Sequence, residues 1–299
     1  FEEYQNLEQY RYQPAVRYNH ADAKLNRLIH RIYYEINPLH SPPFITAISN
    51  SDQYYWAFPE YGIIAVPLGE EKSLINLPDL YHEISHFIYD NYSAIFSEII
   101  NKLVSDYFNE EIERVDEEGR DPSYKQEFSD MADKWKESWV EEFVCDMIAT
   151  FLVGPAYGWT NFKISAYSSG YDKIYIPSEE HPSDESRMKV IFYLLQEMNN
   201  VNGIEKLKSA WSNFKIAVEN PKPLNYEKCF PPSLLKSIAK NILLQLNAMG
   251  LRSFQQQISE FNNPVILYLN EAWNKLLSSP DEFSAWEANA ISDIFNGSV

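Results

Sequence analysis

Apolar residues recur at helical spacing over most of the chain. From Asp22 to Ile36 the residues Leu25, Leu28, Ile29, Ile32 and Tyr33 share one face, and Asn37-Pro38 marks the end of that helix. The period then changes. Phe44 to Ile48, Tyr54 to Phe58 and Gly62 to Pro67 are rich in aromatic and β-branched residues and are separated by Ser-Asn-Ser-Asp and Pro-Glu-Tyr, which predicts a small sheet of about three strands. After Pro78 the helical period returns and persists: Asp79 to Asp90, Ala94 to about Glu118, about Ser123 to Val153, Asp184 to about Asn199, Gly203 to Val218, Ser233 to Met249, and much of the stretch from Asn263 onward, with a break at Ser278-Ser279-Pro280. The expected fold class is mainly α (α+β): a small sheet packed on long helices. The Pro-rich segment Glu219 to Pro232 is the expected boundary between a first domain, 1–218, and a helical C-terminal subdomain, 219–299, although its composition equally suits a buried turn between packed helices.

Composition narrows the class. The 299 residues are 45% hydrophobic and 23% charged, enough to bury a sizeable core, with 9 Gly against 17 Pro, a balance that suits helices punctuated by proline. The formal charge of −18 opposes non-specific attraction to nucleic acid or anionic membrane. No apolar run approaches the ~20 residues that a bilayer-crossing helix needs, so no membrane insertion is expected. Phe1 is neither an initiator Met nor the start of a charged-then-apolar leader, which leads us to expect a trimmed or mature chain. Two cysteines make no disulfide framework, and a reducing cytoplasm is the default compartment.

One run carries chemistry. Leu77-Pro78-Asp79-Leu80-Tyr81-His82-Glu83-Ile84-Ser85-His86 contains the pattern HExxH as His82, Glu83 and His86. On a helix the two histidines stand one turn apart on the same face, so both imidazoles can reach a single Zn²⁺, with Glu83 beside them to take a proton from water. A catalytic zinc needs a third protein ligand. Tyr89 and Tyr92 stand where a metzincin would require Gly and His, so that class is excluded. The alternative places a Glu on a later helix, and Val140-Glu141-Glu142-Phe143-Val144-Cys145-Asp146 supplies it as Glu142, with Asp146 one turn on to orient a ligand histidine. Glu141 is the adjacent competitor, but its i+4 neighbour is Cys145. Apolar neighbours bury this helix, and two carboxylates on its face need a cationic partner. A third element is the His-Pro loop at His181, followed by Arg187 at a helix start.

HExxH, ExxxD and HPxxxxR in that order resemble the gluzincin peptidases that include the HtpX-type proteases, the CAAX prenyl protease and their soluble relatives; the motifs lie between about Tyr81 and Arg187. The resemblance implies a zincin-like domain, a Zn²⁺ cofactor bound by His82, His86 and Glu142, and Glu83 as general base. It further implies Asp146 beside the ligands, His181 near the oxyanion and Arg187 paired with an active-site carboxylate. Ser85 stands where Gly is usual in such relatives, and their membrane members carry transmembrane helices that this sequence lacks. The expected function is zinc-dependent hydrolysis of peptide bonds in a peptide or protein substrate. An inactive zinc-binding peptide-recognition protein, a stress or defence protease gated by its C-terminal helices, and a helical interaction module remain alternatives. An extended peptide is expected to pair with the sheet edge at Gly62 to Pro67. Gly154-Pro155-Ala156-Tyr157-Gly158-Trp159 reads as a helix stop or kink whose aromatics pack in the core, with the lining of a substrate cleft as the alternative. His20, His30 and His40 read as ordinary helix or loop residues, and the acidic run from Asn109 to Glu118 as a solvated face.

Overall fold

The run Ile63-Ile64-Ala65-Val66 is buried at every position, so it has to sit where both faces of a sheet are covered. In the computed structural model, which describes residues 4–5, 8, 12, 16, 20–36, 44–49, 55–168, 173–218 and 220–296, it forms the middle strand of a small sheet. Strand β1 (Phe44–Ser49) pairs parallel with β3 (Ile63–Pro67), Phe44 opposite Ile63 and Thr46 opposite Ala65, before the register shifts towards Ser49. Strand β2 (Trp56–Phe58) pairs antiparallel on the other side, Trp56 opposite Ala65 and Phe58 opposite Ile63. With both of its sides paired, β3 cannot accept a peptide as an added strand, which corrects the docking edge expected at Gly62 to Pro67. The expected residues Asn37-Pro38, His40 and Tyr54 lie outside the described residues.

The rest of the described chain is mainly helical: α1 (His20–Ile36), α2 (Pro78–Glu117), α3 (Ser123–Lys134), α4 (Val140–Val153), α5 (Pro155–Ser168), α6 (Asp184–Glu197), α7 (Val201–Ala217), α8 (Pro232–Ala248), α9 (Phe254–Ser259), α10 (Pro264–Ser278) and α11 (Pro280–Asn296). The two helices expected on either side of residue 92 run together as α2, with Tyr92 alone out of helical geometry at φ −122° and ψ 17°. The helix expected from Ser123 to Val153 is instead interrupted by a π-turn at Trp135–Trp139. Both indoles of that turn are buried and donate to backbone carbonyls, Trp135 to Cys229 at 2.9 Å and Trp139 to Ser178 at 3.2 Å. A wider turn at this point thus serves two polar groups that would otherwise be stranded in the core. No helix among the described residues is long and apolar enough to cross a membrane.

By its internal contacts the chain divides into two compact units. The first is Phe1–Asn91, Ile148–Thr160 and Asn247–Val299; the second is Tyr92–Met147 and Asn161–Leu246. The Pro-rich segment around Cys229 lies inside the second unit, and the helices from α9 onward belong to the first.

The first unit packs Leu25, Ile29 and Ile32 of α1, strand β3, the opening turns of α2, and Val265, Ile266 and Leu269 of α10 into its core. Asn263 joins two of these parts: its Oδ1 caps α10 by accepting from the Val265 N–H at 2.9 Å, and its Nδ2 donates to Glu35 at 2.8 Å. The second unit is centred on aromatic rings. Trp135 lies 4.9 Å from Phe143, and Phe230 lies 5.1 Å from Trp139 and 5.4 Å from Tyr226.

Candidate metal centre

In the first unit the chain enters α2 through a loop whose polar groups are claimed one by one. The Leu74 N–H donates to Glu287 of α11 at 2.7 Å, the Ile75 carbonyl accepts from the Thr160 hydroxyl at 2.8 Å, and the Asn76 amide donates to Glu70 at 3.0 Å. A helix start fixed in this way fixes the direction of its first turns. Leu80, Tyr81, Ile84 and Ile88 then fill the core, and His82 and Glu83 are nearly as enclosed, at 6% and 5% exposure. His86 is half-buried.

The helix brings the two imidazoles together. Their ring centroids are 5.0 Å apart, with planes at 90°. Nδ1 of His82 meets the hydroxyl of Tyr157 at 3.0 Å, and those two rings are within 4° of parallel. Ser85 is fully buried and donates its hydroxyl back to the Tyr81 carbonyl at 2.6 Å, so its oxygen is satisfied within the helix.

In the second unit the carboxylates are gathered around one cation. Asp146 is completely buried, and Arg187 grips it with two parallel hydrogen bonds, Nε to Oδ2 at 2.7 Å and Nη2 to Oδ1 at 2.6 Å. The same Nη2 is 3.5 Å from Oε2 of Glu142, one turn earlier on α4 and 8% exposed. A guanidinium fork fits a carboxylate in two places at once and offsets a desolvation cost that a lone buried carboxylate could not sustain. Arg187 is in turn set by the cap of α6. The Ser183 hydroxyl accepts from the Ser186 N–H at 3.3 Å and bonds the Tyr226 hydroxyl at 2.8 Å.

His181 sits just before that cap in a closed turn, its N–H donating to the Ser178 hydroxyl at 2.8 Å and its carbonyl accepting from the Ser178 N–H at 2.9 Å. Its ring is 51% exposed, and Nε2 is 3.8 Å from Oε2 of Glu142. The structure therefore brings His82 together with His86, and Glu142 together with Asp146, Arg187 and His181.

By donor chemistry two sets among the described residues could hold a metal ion, His82, His86 and Glu142, or His86, Glu141 and Cys145. Tyr157, expected to pack in the core, is indeed buried, and its hydroxyl also reaches a candidate ligand, which nothing in the sequence indicates. Compared with protein-family models, curated proteins and solved structures, the chain matches none of them.

Proposed function

We propose that the chain is a zinc-dependent peptidase with a zincin-like fold, acting on a peptide or protein substrate, with His82, His86 and Glu142 as metal ligands and Glu83 as general base. The observation that carries this reading is the content of the opening turns of α2: two imidazoles 5.0 Å apart and a carboxylate, set into a stretch that is otherwise core. Burying such groups is costly, and a bound cation would offset part of that cost. Two neutral imidazoles and one carboxylate are also the donors that suit zinc better than a hard, oxygen-seeking ion, so the residues fit the metal. Glu142 is preferred to Glu141 because its helix places Asp146 and the Arg187 fork beside it, which hold a ligand carboxylate in one orientation.

Bound zinc would supply Lewis acidity, polarising a carbonyl and lowering the pKa of water toward ~7. Glu83 then takes the proton from the attacking water and passes it to the leaving nitrogen, a role for which an enclosed carboxylate next to the ligands is placed. His181, half in solvent on its turn, donates to the developing oxyanion, and the exposure of its ring leaves it free to meet a substrate. Arg187 stays with Asp146 and keeps the carboxylate side of the site fixed while charge moves.

Metal analysis of the purified protein beside His82→Ala, followed by cleavage of a peptide library by wild type and Glu83→Gln, tests the reading. Zinc near one equivalent in wild type only, with cleavage lost in Glu83→Gln, is expected. Equal and negligible zinc in wild type and His82→Ala overturns it, as does cleavage that Glu83→Gln leaves unchanged.

A further inference from the structure

Tyr157 is held too firmly, and too close to His82, to be filler. The break that precedes it is made by Gly154, at φ +76°, and Pro155 opens α5 as its first residue. Asn270 of α10 spans that break, its amide donating to the Val153 carbonyl at 2.7 Å and its oxygen accepting from the Ala156 N–H at 3.2 Å. One turn beyond, the Thr160 hydroxyl bonds the Ile75 carbonyl in the loop that enters α2, and Trp159 stacks on Trp273 with centroids 5.6 Å apart. The helix bearing the phenol is thus tied both to α10 and to the approach of the helix bearing the imidazole, and both rings are buried.

We propose that Tyr157 is a positioning residue for His82: its hydroxyl oxygen accepts the Nδ1–H and so keeps the imidazole in the tautomer whose Nε2 carries the lone pair. This rests on the zinc reading above. A metal takes a histidine nitrogen only in the form with a lone pair directed at it, and the partner of the other nitrogen selects that form and the ring's rotation. A phenol performs this without adding a charge beside the ring.

Tyr157→Phe keeps the ring and removes the acceptor. In metal-free protein at about pH 8, where an ordinary imidazole is neutral, ¹⁵N NMR of His82 reads the tautomer directly. Wild type is expected to show Nδ1 protonated and Nε2 bare, and Tyr157→Phe to lose that preference. Zinc affinity, measured by chelator competition, is expected to fall about 10- to 100-fold in the variant. A phenol that served only to pack would change the melting temperature and leave both readouts in place. An unchanged tautomer with unchanged zinc affinity overturns the role of Tyr157 and leaves the zinc reading standing. A wild type that takes up no zinc overturns the zinc reading, and the tautomer comparison still reports whether Tyr157 governs His82.

Discussion

In the first unit the imidazole of His82 meets an uncharged phenol, whereas in the second unit the carboxylate of Asp146 meets both prongs of Arg187. The difference follows from what each group is proposed to do. An imidazole that is to hold a metal must turn a lone pair to it, and on the proposed reading the phenol selects the tautomer that does so. A carboxylate with no exposure to water is charged only if a cation is supplied, and Arg187 supplies it with directional hydrogen bonds as well. One side is therefore adjusted by a bond of modest strength, and the other depends on a charge pair whose loss is severe.

Arg187→Ala is the sharpest way to break the comparison. It leaves Asp146 buried without its guanidinium, and urea unfolding is expected to show a loss of about 3–5 kcal/mol, against about 1 kcal/mol for Tyr157→Phe. Arg187→Lys restores the charge without the fork and falls between the two. If Arg187→Ala unfolded at the same urea concentration as Tyr157→Phe, the claim that the two sides are held by different means would collapse.

The residues on each side of this contrast are legible in the sequence, and their partners are not, for a physical reason. His82, Glu83 and His86 are neighbours on one helix, so spacing alone brings their side chains together. Glu142 and Asp146 were legible for the same reason, and the need for a cation near them followed from the apolar residues around them. That Arg187 faces Asp146 with both prongs depends on contacts across 41 residues, which no local period encodes. Tyr157 was read as core because a buried tyrosine and a buried ligand partner look alike until the position of the hydroxyl is known. The strand order went unread for a related reason: three short runs predict a sheet, yet only pairing shows that β3 lies in the middle. The single helix expected from Ser123 to Val153 hid a π-turn because the apolar pattern continues through it.

Gly154 offers the next largest effect and falls on the histidine side. Any side chain there would adopt a left-handed backbone conformation, and a Cβ would lie 2.8 Å from the ring of Phe254. Strain of about 1–2 kcal/mol and overpacking of about 1–3 kcal/mol place Gly154→Ala at roughly 2–5 kcal/mol. Adding Phe254→Ala should relieve the overpacking that Gly154→Ala introduces, so the double variant falls short of the sum of the singles by about 1–3 kcal/mol. Strict additivity would show that the ring is not what excludes a side chain at this position.

On the carboxylate side, Ser183→Ala removes the cap that sets Arg187. A loss of about 1 kcal/mol is expected by thermal or urea unfolding, because the Ser183 hydroxyl no longer accepts from the Ser186 N–H or bonds the Tyr226 hydroxyl, although that N–H keeps the Ser183 carbonyl. The more telling readout is the side-chain NMR signal of Arg187 Nε, which should broaden if the cap is what holds the guanidinium on Asp146. An Arg187 Nε–H as sharp and protected as in wild type would mean that the fork holds itself.

The smallest effect is a slope against pH, and it belongs to the histidine side alone. Burial raises the carboxyl of Glu287 above its ordinary value, and the N–H groups of Leu74 and Ile75 pull it part of the way back. With its folded pKa above its unfolded one, the folded state holds this proton more tightly than the unfolded chain does. The contribution to stability is then fully present below the unfolded value of about 4.3 and is lost as pH rises through the folded value. Glu287→Gln removes the titration while keeping an oxygen for the Leu74 N–H, so the variant should gain on wild type as pH rises from about 4 toward neutrality. Melting temperatures of metal-free protein across that range, with hydrogen exchange at the Leu74 and Ile75 amides, check it. Curves that run parallel throughout would show that the carboxyl of Glu287 titrates alike in the folded and unfolded chain, the N–H groups of Leu74 and Ile75 then balancing its burial.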